Sequence, residues 1–178
     1  RAALPLLLLA STLAASPALG QTVRRDLDHL PFLRSYTSLR VSSADTSGAN
    51  DDGNGRNRLM PGETRTLARL TGPGVITHLW FTINTTDRWH LKNLVLRIYW
   101  DGQASPSVES PIGDFFGLGL GRYIVYESGP LSVGSQKALN AYFPMPFQRG
   151  AVITVTNDGE LPTGSLYYNI DWEKHTAL

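Results

Sequence analysis

The chain has 178 residues, of which 42% are hydrophobic and 17% are charged, and its formal net charge is +1. This composition is typical of one globular domain and excludes a disordered or membrane-spanning protein. The near-zero charge argues against nucleic-acid binding, which needs a clustered basic face, and Arg24-Arg25 is the only basic pair in the sequence.

Residues 1–20 have the pattern of a secretory signal peptide. Arg1 is a remnant of a positive n-region, an apolar stretch runs from Ala2 to Ala15, and Ala18 and Gly20 place small residues at the −3 and −1 positions of a cleavage site. The apolar stretch of about 14 residues is shorter than the ~20 that a spanning helix needs, which favours cleavage over a membrane anchor. We therefore predict a secreted or periplasmic protein with no membrane association after cleavage.

The chain contains no cysteine, which excludes a disulfide framework and a lipoprotein attachment site. Its stability must then come from a packed core. No initiating Met precedes Arg1, and the last residues pass from strand-like sequence directly to the terminus. We expect the chain to be a fragment of a longer gene product.

Residues 21–40 are predicted to contain a short helix or turn, which lies before Pro31. Their apolar side chains recur every three residues, but Pro31 interrupts the pattern. These side chains are Leu27, Leu30, Leu33 and Tyr36. Residues 41–58 then form a long polar loop rich in Gly, Asn, Asp and Ser, and loops of this length usually bind ligands or are disordered.

Within this loop, the run from Asn50 to Gly55 fits the first half of a calcium-binding loop. The twelfth position is Pro61, which cannot supply the bidentate carboxylate that such a loop requires. The alternative is that the Asn, Asp and Gly residues form turns, and this is the interpretation that we favour. We predict neither a metal site nor a cofactor.

From Glu63 onward the sequence predicts short strands separated by Gly and Pro. They span Thr64–Leu70, Val75–Asn84, Leu94–Trp100, Tyr123–Glu127, Ala141–Phe143, Ala151–Asn157 and Tyr167–Trp172. No segment among them has a sustained helical period, which argues against a parallel α/β sheet. We predict an all-β fold, a jelly-roll β-sandwich over residues 41–178.

The strand Leu94–Trp100 ends at Asp101-Gly102, a strong turn signal, and a loop beyond it carries acids next to aromatic side chains. Such a loop on a β scaffold is typical of a surface that binds sugars. The candidates for a stacking platform are Trp80, Trp89, Trp100, Phe115 and Phe116. Strand aromatics are more often buried, and we place Phe81 and Trp100 in the core.

The remaining chemistry is carried by carboxylates. The four histidines have no metal-ligand spacing, and His78, within a predicted strand, reads as a hydrogen-bonded structural histidine. The chain has no nucleophile elbow, P-loop or dinucleotide fingerprint. Glycoside hydrolysis needs two carboxyl groups, about 5 Å apart for retention or about 6.5–9.5 Å for inversion, and the sequence does not indicate which acids meet.

Five segments carry a family resemblance. Gly72–Ile76 with Leu79–Thr82 is similar to a GPG-x-I-x-x-I-W-x-T signature, and Leu96–Gly102 to an L-R-I-Y-x-D-G strand. Pro111–Gly117 resembles a P-x-G-D-F-F-G loop, and Tyr142–Phe147 a Y-x-x-M-P-F segment. Ser47–Asp52 resembles a G-G-N-x-D loop, with Ala49 in place of the second Gly. Together they resemble glycoside hydrolase family 172, formerly a domain of unknown function, over nearly all of residues 34–173.

The resemblance implies a protein of two tandem jelly rolls that acts on fructose-containing glycans by retaining hydrolysis or transfer. The family includes α-fructofuranosidases and difructose-anhydride enzymes, and this chain would supply the first jelly roll. The family's catalytic glutamates are expected in the second half, in a G-x-E-D-Y-like segment that is absent here. The resemblance therefore implies that this chain contains no catalytic residue and is inactive alone.

We expect six residues to contribute to substrate binding: Asn50, Asp51, Trp80, Asp114, Phe115 and Phe116. Asn50 and Asp51 would hydrogen-bond sugar hydroxyls, Asp114 would orient a hydroxyl or a catalytic partner, and the aromatic side chains would stack on a ring or shape the pocket. The expected partners are a carbohydrate, the missing half and further copies of the chain. The alternative is a non-catalytic jelly-roll module for carbohydrate binding or assembly.

Overall fold

The structure is a computed structural model that describes residues 32–49, 51–53 and 55–177. The chain divides into two compact units, Arg1–Arg34 and Ser35–Leu178, and the fold below is that of the second. The predicted signal peptide, the helix or turn before Pro31, and Asn50 and Asn54 lie outside the described residues.

The described part of this unit consists mainly of strands joined by loops. In chain order the strands are β1 (Tyr36–Ser42), β2 (Thr64–Thr71), β3 (Gly74–Asn84), β4 (Leu94–Trp100), β5 (Val108–Pro111), β6 (Tyr126–Glu127), β7 (Leu131–Val133), β8 (Leu139–Ala141), β9 (Met145–Phe147), β10 (Gly150–Asn157) and β11 (Ser165–His175). Two short helices are α1 (His90–Asn93) and α2 (Ile112–Phe115). Within the described residues, neither helix has the length or apolar character to cross a bilayer.

The strands form two antiparallel sheets. The larger sheet has the order β1-β11-β3-β8-β7-β6, with β9 paired to β3, and the smaller sheet has the order β2-β10-β4-β5. From β1 to β4, successive strands alternate between the two sheets. The prediction of an all-β sandwich is confirmed.

Alternation along the strands places the core between the sheets, because successive side chains of a strand point to opposite faces. Leu79, Phe81 and Ile83 of the larger sheet are buried, as are Leu96 and Ile98 of the smaller one. Burial of each such side chain contributes about 1.5–3 kcal/mol. The intervening residues of the same strands point outward and are only partly buried.

The strands with clear periodicity lie where the sequence predicts them. Leu94–Trp100 is confirmed with the same bounds, and β2, β3 and β10 each differ from their predictions by one residue. Trp100 is partly buried against the core and Phe81 is fully buried, as expected. The predicted turn is also confirmed, because Asp101 and Gly102 have φ values of 54° and 82° and the Gln103 N–H donates to the Trp100 carbonyl.

A strand that was not predicted from the sequence precedes the polar loop, and the predicted start of that loop at residue 41 is wrong. We expected a short helix or turn before Pro31 and a loop from residue 41, but Tyr36–Ser42 forms β1. Its seven residues pair in register with β11, from Tyr36 opposite His175 to Ser42 opposite Asn169. Long-range pairing therefore determines the conformation of a segment whose first five residues are exposed.

The GPG corner before β3 has a steric explanation. A Cβ on Gly72 would lie 2.8 Å from the Gln148 carbonyl oxygen, and one on Gly74 would lie 2.7 Å from the ring of Phe147. The chain approaches β9 and its following turn too closely for any side chain at these two positions. This explains both glycines of the motif without a role in binding.

Candidate functional site

Polar and aromatic side chains gather on the outer surface of the larger sheet. They come from four adjacent strands and from the residue that follows β8. This polar–aromatic face comprises Arg40, His78, Trp80, Asn140, Tyr142, Asn169 and Asp171.

Strand register places these residues next to one another. Trp80 of β3 lies between Asn169 of β11 and Asn140 of β8, with which it is paired on either side. His78 is paired with Asp171, which is paired in turn with Arg40. Because Leu79 and Phe81 point into the core, His78 and Trp80 point outward.

Asp171 is at the centre of a hydrogen-bonded network. Its two carboxylate oxygens accept from Nε and Nη2 of Arg40 at 2.5 and 3.1 Å, a bidentate pair. Nδ1 of His78 lies 3.0 Å from Oδ2 of Asp171, and Nε2 of His78 lies 3.2 Å from Oδ1 of Asn140. The prediction of a hydrogen-bonded structural histidine at position 78 is confirmed.

The network keeps Asp171 ionised. Burial acts to raise the pKa of this carboxyl group, but hydrogen bonds from Arg40 and His78 outweigh it, so that the pKa is lowered from its ordinary value. A carboxylate that is already paired with two partners has little capacity to act as a general acid or base. Asp171 is therefore suited to fixing its neighbours in place.

Tyr142 adds an accessible aromatic surface to this network. Its ring is stacked on the imidazole of His78, with centroids 4.6 Å apart and planes 4° apart, and 49% of the residue is exposed. Aromatic rings beside fixed polar groups are the usual components of a small-molecule binding surface.

The loop that carries Asp51 approaches the same side of the sheet. A Cβ on Gly53 would lie 3.2 Å from the hydroxyl of Tyr167, an outward-facing residue of β11 two positions before Asn169. The Asp51 N–H donates to Oδ2 of Asp45 at 3.0 Å. Among the described candidates, Asp51 and Trp80 thus lie on one side of the larger sheet.

The acids of this loop form turns. Asp45 accepts hydrogen bonds from the backbone of Ser47 and Asp51 and pairs with Arg56, and these contacts, with Ser47 foremost, lower the pKa of its carboxyl group. Asp52 accepts from the Asp45 N–H. In the described residues, no group of three His, Asp or Glu side chains converges as metal ligands would.

Asp114 and Phe115 lie elsewhere, on α2. This helix contacts α1, β4 and β5, and Asp114 Oδ1 accepts from Nζ of Lys92 at 2.5 Å. Phe115 is half-buried and meets Phe116 edge to face at 5.0 Å. In the part of the chain that the structure describes, no hydrogen bond or ring contact joins these residues to Trp80 or Asp51.

Phe116 cannot take the stacking role, one of the two that we expected for it. The residue has 0% exposure and packs edge to face on Phe81 at 5.8 Å. A ring with no exposed surface cannot stack on a sugar in this conformation. Its role is to pack the core beneath α2, while its carbonyl accepts a hydrogen bond from the Tyr126 hydroxyl.

Sequence reasoning missed five members of the polar–aromatic face: Arg40, Asn140, Tyr142, Asn169 and Asp171. A signal existed for Asp171, because Asn169 and Asp171 alternate with the apolar residues Ile170 and Trp172. This pattern places Asp171 on the outer surface of its strand. It does not reveal that His78, 93 positions earlier, is the neighbour.

Comparison with known protein families gives a match. A family model described as GH172 domain-like matches residues 51–166, which is more than half of the chain. No curated protein matches the chain. The matched region begins at the Asp51 loop and extends into β11, and it includes Trp80, Asn140 and Tyr142. The chain belongs to the GH172 domain-like family.

Proposed function

We propose that this chain is the N-terminal jelly roll of a secreted or periplasmic retaining glycoside hydrolase that acts on fructose-containing glycans. Family membership supports carbohydrate as the substrate class. The pattern of residues 1–20 supports secretion. The alternation of β1 to β4 between two sheets supports the jelly-roll topology.

The observation that carries the proposal is the polar–aromatic face. Trp80 and Tyr142 offer aromatic surface, while the Asp171 network and Asn169 offer polar groups on a rigid sheet. Asp51 lies on the same side and would hydrogen-bond a sugar hydroxyl, and we extend this role to Asn50. Asp114 and Phe115 would act at a separate surface, toward a catalytic partner.

The catalytic glutamates would come from a second jelly roll, as the family resemblance implies, and the isolated chain would be inactive. Exposed apolar side chains support a docking surface for that domain or for further copies of the chain. The most exposed of them in the loops after α2 are Leu120, Ile124 and Val125.

The test compares this chain with the complete gene product on difructose anhydride and inulin-type sugars. We expect turnover by the complete protein and none by the chain. The chain should nevertheless bind inulin-type oligosaccharides in calorimetry, and Trp80→Ala should weaken that binding. Trp89→Ala is the matched control, since Trp89 is 49% exposed and precedes α1. Turnover by the chain alone would contradict the placement of the glutamates.

A non-catalytic carbohydrate-binding module is the second candidate. It is supported by the polar–aromatic face, because the exposed ring of Tyr142 and the Asp171 network could bind a sugar without a catalytic pair. Sugar binding without turnover by the complete gene product would support this candidate over the enzyme.

A further inference from the structure

A concavity lies on the outer surface of the smaller sheet, on the opposite side of the sandwich from the polar–aromatic face. Its volume is about 770 Å³, within the range of small-molecule sites. We name it the Arg69 concavity and define it by six of its lining residues: Arg69, Tyr99, Gln103, Arg149, Val152 and Thr154.

Three neighbouring strands form the floor. Val152 of β10 is paired with Arg69 of β2 on one side and with Tyr99 of β4 on the other. Because Ile98 and Ile153 point into the core, Tyr99 and Val152 point outward. The floor therefore presents an aromatic ring and an aliphatic side chain next to a guanidinium group.

Hydrogen bonds to Asp101 fix one wall of the concavity. Oδ1 of this residue accepts hydrogen bonds from the backbone N–H groups of Gln148, Arg149 and Gly150, at 3.0, 2.6 and 3.1 Å. The Arg149 side chain donates in return to the Asp101 carbonyl. These contacts fix the turn after β4 against the start of β10, so the concavity is preformed.

Thr154 is a residue of the lining whose hydroxyl is buried and, within the described part of the chain, unpaired. It lines the concavity and is only 7% exposed, yet its hydroxyl has no hydrogen-bond partner among the described residues. Buried hydroxyl groups are nearly always paired. A rotation of 120° about χ1 would move the hydroxyl to the position that the methyl group now occupies, where it could pair with a bound group.

The charge of the lining is positive. Arg69 is exposed and forms no ion pair among the described residues, and Arg149 is exposed as well. Asp101 is the acid of the lining, which leaves a formal charge of one positive unit. A ligand with one negative charge would balance it.

We propose that the Arg69 concavity binds a uronic acid unit of an acidic saccharide. Its carboxylate pairs with the Arg69 guanidinium, which matches carboxylate geometry in a bidentate manner. Its ring lies over Tyr99 and Val152, and a ring hydroxyl reaches Thr154. The site is separate from the polar–aromatic face and does not depend on the function proposed for it.

The test is calorimetry of the 178-residue chain with trigalacturonate and, as a matched ligand, its methyl ester, which keeps the rings and removes the charge. We expect the acid to bind at least about tenfold more tightly than the ester, because hydrogen bonds between ions are about twice as strong as neutral ones. Arg69→Gln should remove this preference. Arg122→Gln, which removes an exposed arginine outside the concavity, should retain it.

Thr154→Val tests the proposed contact between a ring hydroxyl and Thr154. It keeps the shape of the side chain and removes the hydroxyl, so we expect weaker binding of trigalacturonate with no decrease in the thermal unfolding midpoint. Retained affinity in this variant would overturn the contact with Thr154. Equal binding of acid and ester by the unchanged chain, or no binding of either, would overturn the proposal. Unchanged affinity of Arg69→Gln for trigalacturonate, or an equal loss of affinity in Arg122→Gln, would also overturn it. The same holds if a glutamate peptide binds the unchanged chain as tightly as trigalacturonate does.

Discussion

The carboxylate of Asp171 lies 3.0 Å from Nδ1 of His78, across the pairing of two central strands of the larger sheet. The same carboxylate forms an ion pair with Arg40 of β1, the strand on the other side of β11. One acid thus joins β1, β11 and β3 on the surface where we place the sugar. Its ionisation is therefore tied both to the stability of the sheet and to the arrangement of the proposed site.

Replacement of Asp171 by Asn should destabilise the chain by about 1 kcal/mol at pH 7. The change removes the charge that pairs with Arg40, but more than half of the Arg40 side chain is exposed, so the solvent screens this pair. Urea unfolding measures the effect. Asp158→Asn, which changes an exposed carboxylate with no hydrogen bond among the described residues, should have no comparable effect. An equal loss in both variants would contradict the assigned role.

Acid should destabilise the fold below pH 4. The carboxyl groups of Asp45, Asp101 and Asp171 have pKa values lowered from 3.8, and for Asp101 the first cause is the hydrogen bond from the Arg149 N–H. A lowered pKa in the folded state adds stability that is complete above pH 3.8 and is lost as the pH falls toward the folded value. Urea unfolding at pH 6, 4, 3 and 2.5 measures this loss.

The Asp101→Asn variant isolates one part of that acid response. Asn keeps an acceptor oxygen and tolerates the positive φ of 54°, but it does not titrate. We expect a lower midpoint than the unchanged chain at pH 6 and a smaller decrease between pH 4 and pH 2.5. A decrease equal to that of the unchanged chain would show that Asp101 contributes nothing to the acid response.

Phe116 and Phe115 should differ in their contributions to stability. Phe116→Ala leaves a cavity beneath α2 and should cost about 3–5 kcal/mol, whereas Phe115→Ala removes a half-buried ring and should cost less. Urea unfolding of both variants at pH 7 tests the difference. Equal costs would contradict the packing of these two rings.

These two rings also show where sequence reasoning ends. A pair of adjacent aromatics gives no indication of which one is buried, because that depends on how α2 packs against α1, where a Cβ on Gly113 would lie 2.8 Å from Leu91. The content of β-branched and aromatic residues was sufficient to predict β3, β4 and β10. It could not predict β7 or β9, which have three residues each and obtain their conformation from neighbouring strands.

The composition of the proposed site could not be predicted from the sequence either. Trp80 could be selected by residue type and by motif. Its neighbours Asn140 and Asn169 are contributed by strands 60 and 89 positions away, since they pair with position 80 only in the folded sheet. The Asp171 network likewise depends on the register of three strands. Such contacts are specified by sheet order, which spacing along the chain does not encode.

His90 should take up a proton at a lower pH than an ordinary histidine does. Burial lowers its pKa from 6.5, although a hydrogen bond to the Asp87 carbonyl opposes this. Because a carbonyl only accepts, Nδ1 carries the proton and Nε2 can accept from the Tyr123 hydroxyl at 3.1 Å. Burial raises the pKa of Tyr123 to about 12, so that it remains a donor.

The lowered pKa of His90 makes the fold less stable as the pH falls, whereas a salt bridge of a protonated histidine would make it more stable. The unfolded chain takes up the proton more readily than the folded one, so stability falls as the pH drops through 6.5 toward the folded value. Nuclear magnetic resonance titration should give a pKa for His90 below that of the same residue in urea. An equal or higher value in the folded chain would contradict the geometry.

The pair of Lys92 and Asp114 separates a structural role from a binding role. Each side chain is about one-third exposed, and such pairs contribute about 0–1 kcal/mol, so Asp114→Asn should leave the unfolding midpoint of the complete gene product nearly unchanged. If Asp114 acts toward the reacting sugar, kcat/KM on difructose anhydride should fall about tenfold or more. Lys92→Met is the matched control, because it breaks the same ion pair and keeps the carboxylate. A larger loss of activity in Asp114→Asn than in Lys92→Met would support a role in binding, whereas equal losses would restrict Asp114 to holding α1 against α2.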